Sequence, residues 1–222
     1  MKLKKIASLA LAGIMAVSML AGCSGKTENE ENNGNQNQVT AATVADYANS
    51  LLSKDQKNVF EFENSADLTA ALKKVASDSE KFTSDDIEKY SELYAYGADI
   101  VVSELATELK KDLELNFSNA DTDNQKGLTT TDKKGTKTVG FVYGVSGKLE
   151  QDTAVQLVVN SWKTVTMDND TFFPATISSA KLDCDYTAEI SAAKVTAPDD
   201  KDVSTWVVAI VVTQTAVEAA NV

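Results

Sequence analysis

The sequence predicts an α+β domain, in which N-terminal helices pack on an antiparallel β-sheet formed by the C-terminal half. Apolar residues recur at helical spacing up to about residue 115, whereas after residue 137 most apolar stretches have the two-residue period of strands. No helix is predicted between these strands, which favours antiparallel pairing. We therefore expect a single globular domain over residues 39–222, helical over 39–118 and sheet over 137–216.

Three amphipathic helices are predicted in the first half. Asp67 is the expected N-cap of the second helix, and Thr83 or Ser84 should begin a third that runs to about Leu115. The apolar positions recur every three or four residues in all three helices. They are Val44, Tyr47, Ala48, Leu51 and Leu52, then Leu68, Ala71, Leu72 and Val75, and then Ile87, Tyr90, Tyr94, Ala98, Val101, Leu105, Leu109 and Leu113.

Four strands are predicted in the second half. Residues 119–136 are polar and turn-rich, and we expect a loop there between the helices and the sheet. The predicted strands cover residues 139–145, 154–167, 180–190 and 205–214. Since the last of these is apolar on both faces, it should be a central strand that is covered on both sides.

The N-terminus has the organisation of a secretion signal over residues 1–22. Lys2, Lys4 and Lys5 precede an apolar run from Ile6 to Leu20, and small residues follow. A transmembrane helix is the alternative, but about 20 mostly apolar residues are needed to cross a bilayer. The run is shorter and contains two serines, so we expect a signal peptide that is removed.

The tetrapeptide Leu20-Ala21-Gly22-Cys23 resembles the lipobox of bacterial lipoproteins. The resemblance covers only residues 1–23 and implies that Cys23 becomes the lipidated first residue of the mature chain. Acyl chains such as palmitate would then hold the protein in a bacterial membrane, on its extracytoplasmic face in the cell envelope. Durable anchoring needs two or more chains, which a diacylglyceryl cysteine provides.

Residues 24–38 should form a disordered tether behind the lipidated cysteine. This segment has no apolar side chain and is rich in Asn, Glu and Gln, so it cannot bury enough surface to offset the entropy of ordering. A flexible coil of this length spans roughly 20 Å. It would therefore hold the globular domain clear of the lipid headgroups.

The charge and the missing residue types exclude several classes of function. The formal net charge is −12, and loss of residues 1–22 would leave 18 lysines against 33 acids, or −15. Nucleic acid and an anionic membrane surface are poor partners for such a body. The sequence contains no His and no Arg, which excludes Ser-His-Asp and Cys-His catalysis, histidine-ligated zinc and the bidentate arginine grip on phosphate.

Cys184 and three tyrosines are the remaining candidates for chemistry in the predicted elements. Cys184 shares a strand face with apolar residues, and the acids on either side of it would raise its pKa, so we expect an inert core thiol. Tyr90, Tyr94 and Tyr96 could line a ligand groove. Because Tyr90 and Tyr94 lie on the core stripe of their helix, core packing is the expected role.

Two near-matches to cofactor motifs fall inside the polar loop. Asp121, Asp123, Gln125 and Asp132 occupy positions 1, 3, 5 and 12 of an EF-hand-like calcium loop, but Lys126 stands where that motif has its glycine. Residues 123–129 also resemble the Asp-x-x-(Ser/Thr)-Gly-Ala-Thr motif at which secreted flavoproteins carry covalent FMN, here on Thr129. Lys126 and Leu128 depart from that motif. The alternative for both is a solvated acidic loop.

These observations favour a membrane-anchored extracytoplasmic binding or accessory domain over an enzyme. Its ligand would be a protein, a glycan or a small molecule, and no cofactor is required. The alternative is a histidine-independent carboxylate enzyme such as a glycosidase, because 33 acids offer many pairs. Two carboxyls about 5 to 10 Å apart in a deep cleft, one of them desolvated, would favour the enzyme.

Overall fold

The structure is a computed structural model that describes residues 43–77, 83–88, 100–113, 117–119, 134–165, 173–177 and 180–219. All of these residues belong to one compact unit, Thr40–Val222. The helices are α1 (Val44–Leu51), α2 (Lys54–Lys57), α3 (Ala66–Ser77), α4 (Ser84–Glu88), α5 (Ile100–Leu113) and α6 (Gln151–Val165). The strands are β1 (Phe62–Glu63), β2 (Phe117–Asn119), β3 (Gly135–Ser146), β4 (Thr176–Ile177), β5 (Leu182–Thr196) and β6 (Ser204–Glu218).

These elements confirm the α+β class. The strands form one sheet in the order β1-β5-β6-β3-β2, and β4 pairs with β5 beside β1. The three long strands β3, β5 and β6 come from the C-terminal half and pair antiparallel. The edge strands β1 and β2 precede them in the chain and pair in parallel, so the sheet is mixed. Strands of two and three residues carry too little alternation to be seen in a sequence.

The predicted central strand is confirmed as β6. It lies in the middle of the sheet, and its residues from Val207 to Val212 are all buried. Alternate residues reach two apolar clusters on opposite faces of the sheet, as the pleat requires. Val208 and Ile210 pack in the cluster with α1 and α6, whereas Val207 and Ala209 pack in the cluster with α3, α4 and α5.

The strand predicted over residues 154–167 is wrong, because this segment forms α6. Its buried residues are separated by one, three and four positions, which is the spacing of one helical face. They are Ala154, Val155, Val158, Val159 and Trp162. Several residues of the run are β-branched, which favours strand by propensity, but burial against the sheet decides the structure. A helix therefore does connect two long strands of the sheet.

The predicted second helix is confirmed as α3, with a different N-cap. Ser65 Oγ accepts the Leu68 N–H at 3.2 Å, and the Ser65 carbonyl accepts the Thr69 N–H. Asp67 lies in the first turn instead, where an acid is favourable beside the positive end of the helix.

Two helices, α4 and α5, lie within the range of the predicted third helix. Thr83 precedes α4 as expected, and its N–H and hydroxyl both donate to Asp86. Residues 89–99 and 114–116, which include Tyr90, Tyr94 and Tyr96, lie outside the described residues. Within the described parts of the chain, no helix is both long and apolar enough to cross a bilayer.

An aromatic cluster fills the core between α6 and the sheet. Trp162 is 1 % exposed, and its ring meets Phe141 and Phe60 edge-on at 5.2 and 6.3 Å between centroids. Its indole N–H donates to the Tyr143 hydroxyl, so the buried polar group is satisfied. This contact fixes α6 on the sheet.

One glycine is required at the end of β3. The Gly147 N–H donates to the Ser204 carbonyl at 3.0 Å, and a Cβ at position 147 would lie 2.2 Å from that oxygen. The backbone of β6 therefore approaches too closely for any side chain. Gly147 lets the chain leave β3 and begin the connection to α6 while the strands stay paired.

Candidate functional site: the cleft at the outer edge of β5

The outer edge of β5, on the side away from β6, is covered along only part of its length. β4 pairs with Leu182 and Asp183, and β1 pairs with Ala188 and Glu189. Beyond Glu189, no strand among the described residues pairs with this edge. β5 nevertheless continues to Thr196, so its last residues form an open strand edge.

The direction of the backbone groups along this edge follows from three hydrogen bonds. The Ala197 N–H donates across to Val203 at the β6 side, and Lys181 accepts from Ala219 on the same side, both at 2.9 Å. The backbone N–H of Cys184 points away from β6 and donates to the Ala175 carbonyl at 2.8 Å. Odd-numbered residues of β5 therefore bond to β6, and even-numbered residues direct their N–H and C=O outward. In the open stretch these are Ala192, Lys194 and Thr196.

A cleft of about 330 Å³ lies over this open edge. Its lining comes from α3 on one face of the sheet, from α6 and β6 on the other face, and from the edge strand between them. The lining residues are Lys73, Ala76, Ser77, Gln151, Ala192, Ala193, Lys194 and Trp206. The edge of β5 is therefore flanked by a helix on each side.

The cleft is basic although the chain is strongly acidic. Among the described residues, Lys73 and Lys194 are the two charged residues that line it, and none of the described acids does. Neither lysine forms an ion pair with a described residue. The site therefore offers two cations to a ligand in a protein of net charge −12.

Trp206 gives the cleft its aromatic wall. It lies directly opposite Lys194 across β5 and β6, and the Lys194 Nζ stands 5.5 Å from the centroid of the ring. The indole N–H donates to the Leu149 carbonyl at 2.8 Å, which fixes the ring's orientation. On the opposite wall, Thr69 and Ser191 share a hydroxyl hydrogen bond of 3.0 Å that fixes α3 against β5. Both walls are therefore held in place before any ligand binds.

Most residues singled out from the sequence lie outside the described residues. These are Cys23, the calcium candidates Asp121, Asp123, Gln125 and Asp132, and the flavin candidate Thr129. Where the structure does describe the chain, no group of three or more Cys, Asp or Glu residues is arranged to hold a metal. The calcium and flavin hypotheses for the polar loop thus stay predictions.

Cys184 has the predicted strand phase and the predicted direction of pKa. The side chain lies on the same face as Tyr186 and Ala188, but it is half-buried rather than enclosed. Burial raises the pKa of the thiol, a hydrogen bond with Tyr186 lowers it, and the charges of Asp183 and Asp185 raise it further. At neutral pH the side chain is therefore a protonated thiol, which is less nucleophilic than a thiolate.

Tyr186 is held neutral by its surroundings. Gln214 Nε2 donates to its hydroxyl at 2.7 Å, and the hydroxyl donates to the Pro174 carbonyl at 2.9 Å. Burial raises the pKa of Tyr186 to about 12. The hydroxyl therefore joins β5, β6 and the segment before β4, and it does not supply a base near neutral pH.

Two exposed carboxyls have shifted pKa values among the described residues, and both are lowered. The Thr43 hydroxyl and N–H lower the pKa of Asp46, and the Ser84 hydroxyl and N–H lower that of Asp199. Each bond joins the start of a helix to an acid, at α1 and at α4. A glycosidase-type general acid needs the opposite shift. These two carboxyls therefore do not form the pair that the enzyme alternative requires.

Comparison with known proteins gives no further assignment, since no protein-family model, curated protein or solved structure matches this chain. Lys73, Lys194 and Trp206 were not predicted as site residues. One signal was present in the sequence: Lys194 interrupts the apolar run of Ala192, Ala193 and Val195. A lysine in an otherwise apolar strand is typical of a sheet edge.

Proposed function

We propose that this protein is a lipid-anchored, extracytoplasmic binding or accessory domain of a bacterial cell envelope, and that its ligand site is the β5 cleft. The observation that carries the proposal is the composition of that cleft. Lys73, Lys194 and Trp206 surround a strand edge that no described strand covers, and no carboxyl in the described part of the chain lines it. These groups can bind an anionic or hydrogen-bonding ligand, but they do not supply an acid and base pair for hydrolysis.

The proposed anchor agrees with a binding role at the surface. The lipobox places the lipid on Cys23, and the polar segment over residues 24–38 would separate it from the domain. Roughly 20 Å of flexible tether lets a site on the domain meet ligands in many orientations. Binding needs no catalytic constellation, so the absence of His and Arg from the sequence does not hinder it.

The anchor is tested by metabolic labelling with an alkyne fatty acid. Cys23→Ser should abolish the label and leave precursor or released protein, since diacylation needs the Cys23 thiol. Cys184→Ser is the matched control, because it removes the other cysteine and should leave labelling unchanged. Full labelling of the Cys23→Ser variant would refute the lipoprotein assignment.

The site is tested by photo-crosslinking on intact cells. A benzoylphenylalanine at position 77, which lines the cleft and leaves both Lys73 and Lys194 in place, should yield a discrete adduct that high salt weakens. The same probe at the exposed Lys57, which does not line the cleft, is the control. Equal adducts from both positions would contradict a binding site at the β5 cleft.

A further inference from the structure

We infer that the cleft binds an extended acidic peptide segment of a partner protein, which adds as a further strand to the outer edge of β5. This inference rests on the proposed function, since it names the class of ligand for the same site. Three properties of the cleft support it: the outward-directed N–H and C=O groups of β5, the two walls on opposite faces of the sheet, and the positive charge of its lining.

The backbone groups have the spacing that a strand requires. Ala192 and Lys194 both direct N–H and C=O outward, and no described residue pairs with them. An antiparallel peptide can exchange two hydrogen bonds with each of these residues. Main-chain bonds of this kind supply affinity in strand addition, while alternate side chains supply specificity.

The walls of the cleft match the two faces of an added strand. Successive peptide side chains would point toward opposite faces of the sheet. Those on one face would meet Lys194, Trp206 and Gln151, and those on the other would meet Lys73 and Ser77. Lys194 lies on one face and Lys73 on the other. Because neighbouring side chains of a strand point to opposite faces, acids are favourable at neighbouring positions of the peptide.

The local charge favours an acidic occupant over a second copy of this chain. The net charge of −12 repels acids at a distance, but at physiological ionic strength this repulsion is screened beyond about 8 Å. The charged side chains that line the cleft, within the described ranges, are the two lysines. Two copies that paired through this edge would bring their exposed Lys194 side chains together, which is unfavourable.

The inference is tested with synthetic peptides and the purified full-length protein in detergent. The probe, called the Glu–Val peptide, is Glu-Glu-Val-Val-Glu-Glu-Val-Val with a fluorescein label, so that neighbouring acids lie on opposite faces of the added strand. Binding is measured by fluorescence anisotropy. A peptide with Lys in place of every Glu tests the charge. A Glu–Val peptide with every backbone amide N-methylated keeps every side chain but cannot donate to the β5 edge.

We expect the Glu–Val peptide to bind and both other peptides to bind at least about tenfold more weakly, which corresponds to about 1.4 kcal/mol. Amide exchange followed by NMR should show Ala192 and Lys194 unprotected in the free protein and protected with the peptide. Ser191 and Ala193 should be protected throughout, because odd-numbered residues bond to β6.

Ala192→Pro is the matching protein variant. It leaves the hydrogen bonds between β5 and β6 in place, so the fold should tolerate a proline at this strand edge. It also removes an outward N–H that would donate to the peptide, so peptide binding should fall about tenfold. Lys54→Pro, at the first position of α2 and outside the cleft lining, is the proline control that should bind normally. If the proline variant does not fold, the N-methylated peptide on the unmodified protein makes the same test.

Several outcomes would overturn strand addition. They are no binding of the Glu–Val peptide at millimolar concentration, equal binding of its N-methylated form, or binding that dextran sulfate abolishes and Ala192→Pro does not affect. The last result would mean a simple polyanion site. A crosslinked partner at position 77 together with a failed peptide test would leave the proposed function standing and refute only the added strand.

Discussion

Asn49 completes the hydrogen bonding of the sheet edge formed by β1, and a single-atom change should expose its role. The Asn49 Nδ2 donates to the Phe62 carbonyl at 2.8 Å, and its Oδ1 accepts the Phe62 N–H at 2.7 Å. The side-chain amide thus replaces a neighbouring strand. Asn49→Asp keeps the shape and the acceptor, but it replaces the donor with an oxygen that faces the carbonyl.

The expected cost at pH 7 is about 1–3 kcal/mol. The carbonyl of Phe62, a residue only 3 % exposed, loses its donor, and a buried unsatisfied group costs about that amount. The carboxylate still accepts the Phe62 N–H, which limits the loss. In a chain of this size about 1 kcal/mol lowers the melting temperature by roughly 2–4 °C. Asn49→Ala, which removes both bonds, should cost more.

The pH dependence separates this explanation from a general loss of packing. A protonated Asp is isosteric with the amide, and its O–H can donate to the Phe62 carbonyl. The variant's folded-state pKa is therefore raised above the unfolded value of about 3.9. Its stabilising contribution is present below that value and is lost as pH rises through the folded pKa.

The assay is urea unfolding followed by tryptophan fluorescence at pH 3, 5 and 7, for the unmodified protein and both Asn49 variants. We expect the difference between the protein and Asn49→Asp to be small at pH 3 and largest at pH 7, with Asn49→Ala showing no such trend. A difference that is constant with pH, or larger at pH 3, would refute the bidentate amide.

Three further substitutions test other contacts. Tyr186→Phe should cost about 1 kcal/mol of unfolding free energy at pH 7, the contribution of a typical hydrogen bond. Because the pKa of Tyr186 is raised to about 12, the unmodified protein should lose this extra stability between pH 10 and 12. Urea unfolding of both proteins across that pH range measures the loss. Gly147→Ala should cost about 1–3 kcal/mol through its clash with Ser204, and an unchanged urea midpoint would contradict the close approach. Trp162→Ala should cost about 3–5 kcal/mol in the same assay. A loss below about 1 kcal/mol would place Trp162 outside the core.

The elements predicted correctly from sequence are those with a long apolar period. α1, α3, β5 and β6 each carry their pattern over eight residues or more, and one face or both faces are buried as expected. In α6 the β-branched residues obscured a helical spacing that the buried positions show plainly. β1 and β2 are too short for any period, so the parallel pairs at the sheet edges could not be predicted.

The candidate site could not be predicted for a different reason. Lys73, Lys194 and Trp206 belong to three elements, and each has an ordinary local role as a helix surface or strand residue. What makes them a site is the position at which the cover of β5 by β1 ends. That position is a property of the topology and of the two-residue length of β1, and its only local signal is the lysine at position 194 within an apolar stretch.

Among the described residues, the outer edge of β5 is covered along one part and open along the next, and the Lys194 side chain influences what can pair with the open part. Asn49 satisfies the outer backbone groups of β1 at Phe62. Beyond β1 the outward groups of Ala192 and Lys194 have no such cover among the described residues. Lys194 disfavours pairing between two copies of this chain, because like charges would meet, yet it attracts an acidic segment. Lys194 therefore disfavours pairing with a second copy of this chain and favours pairing with the proposed acidic segment.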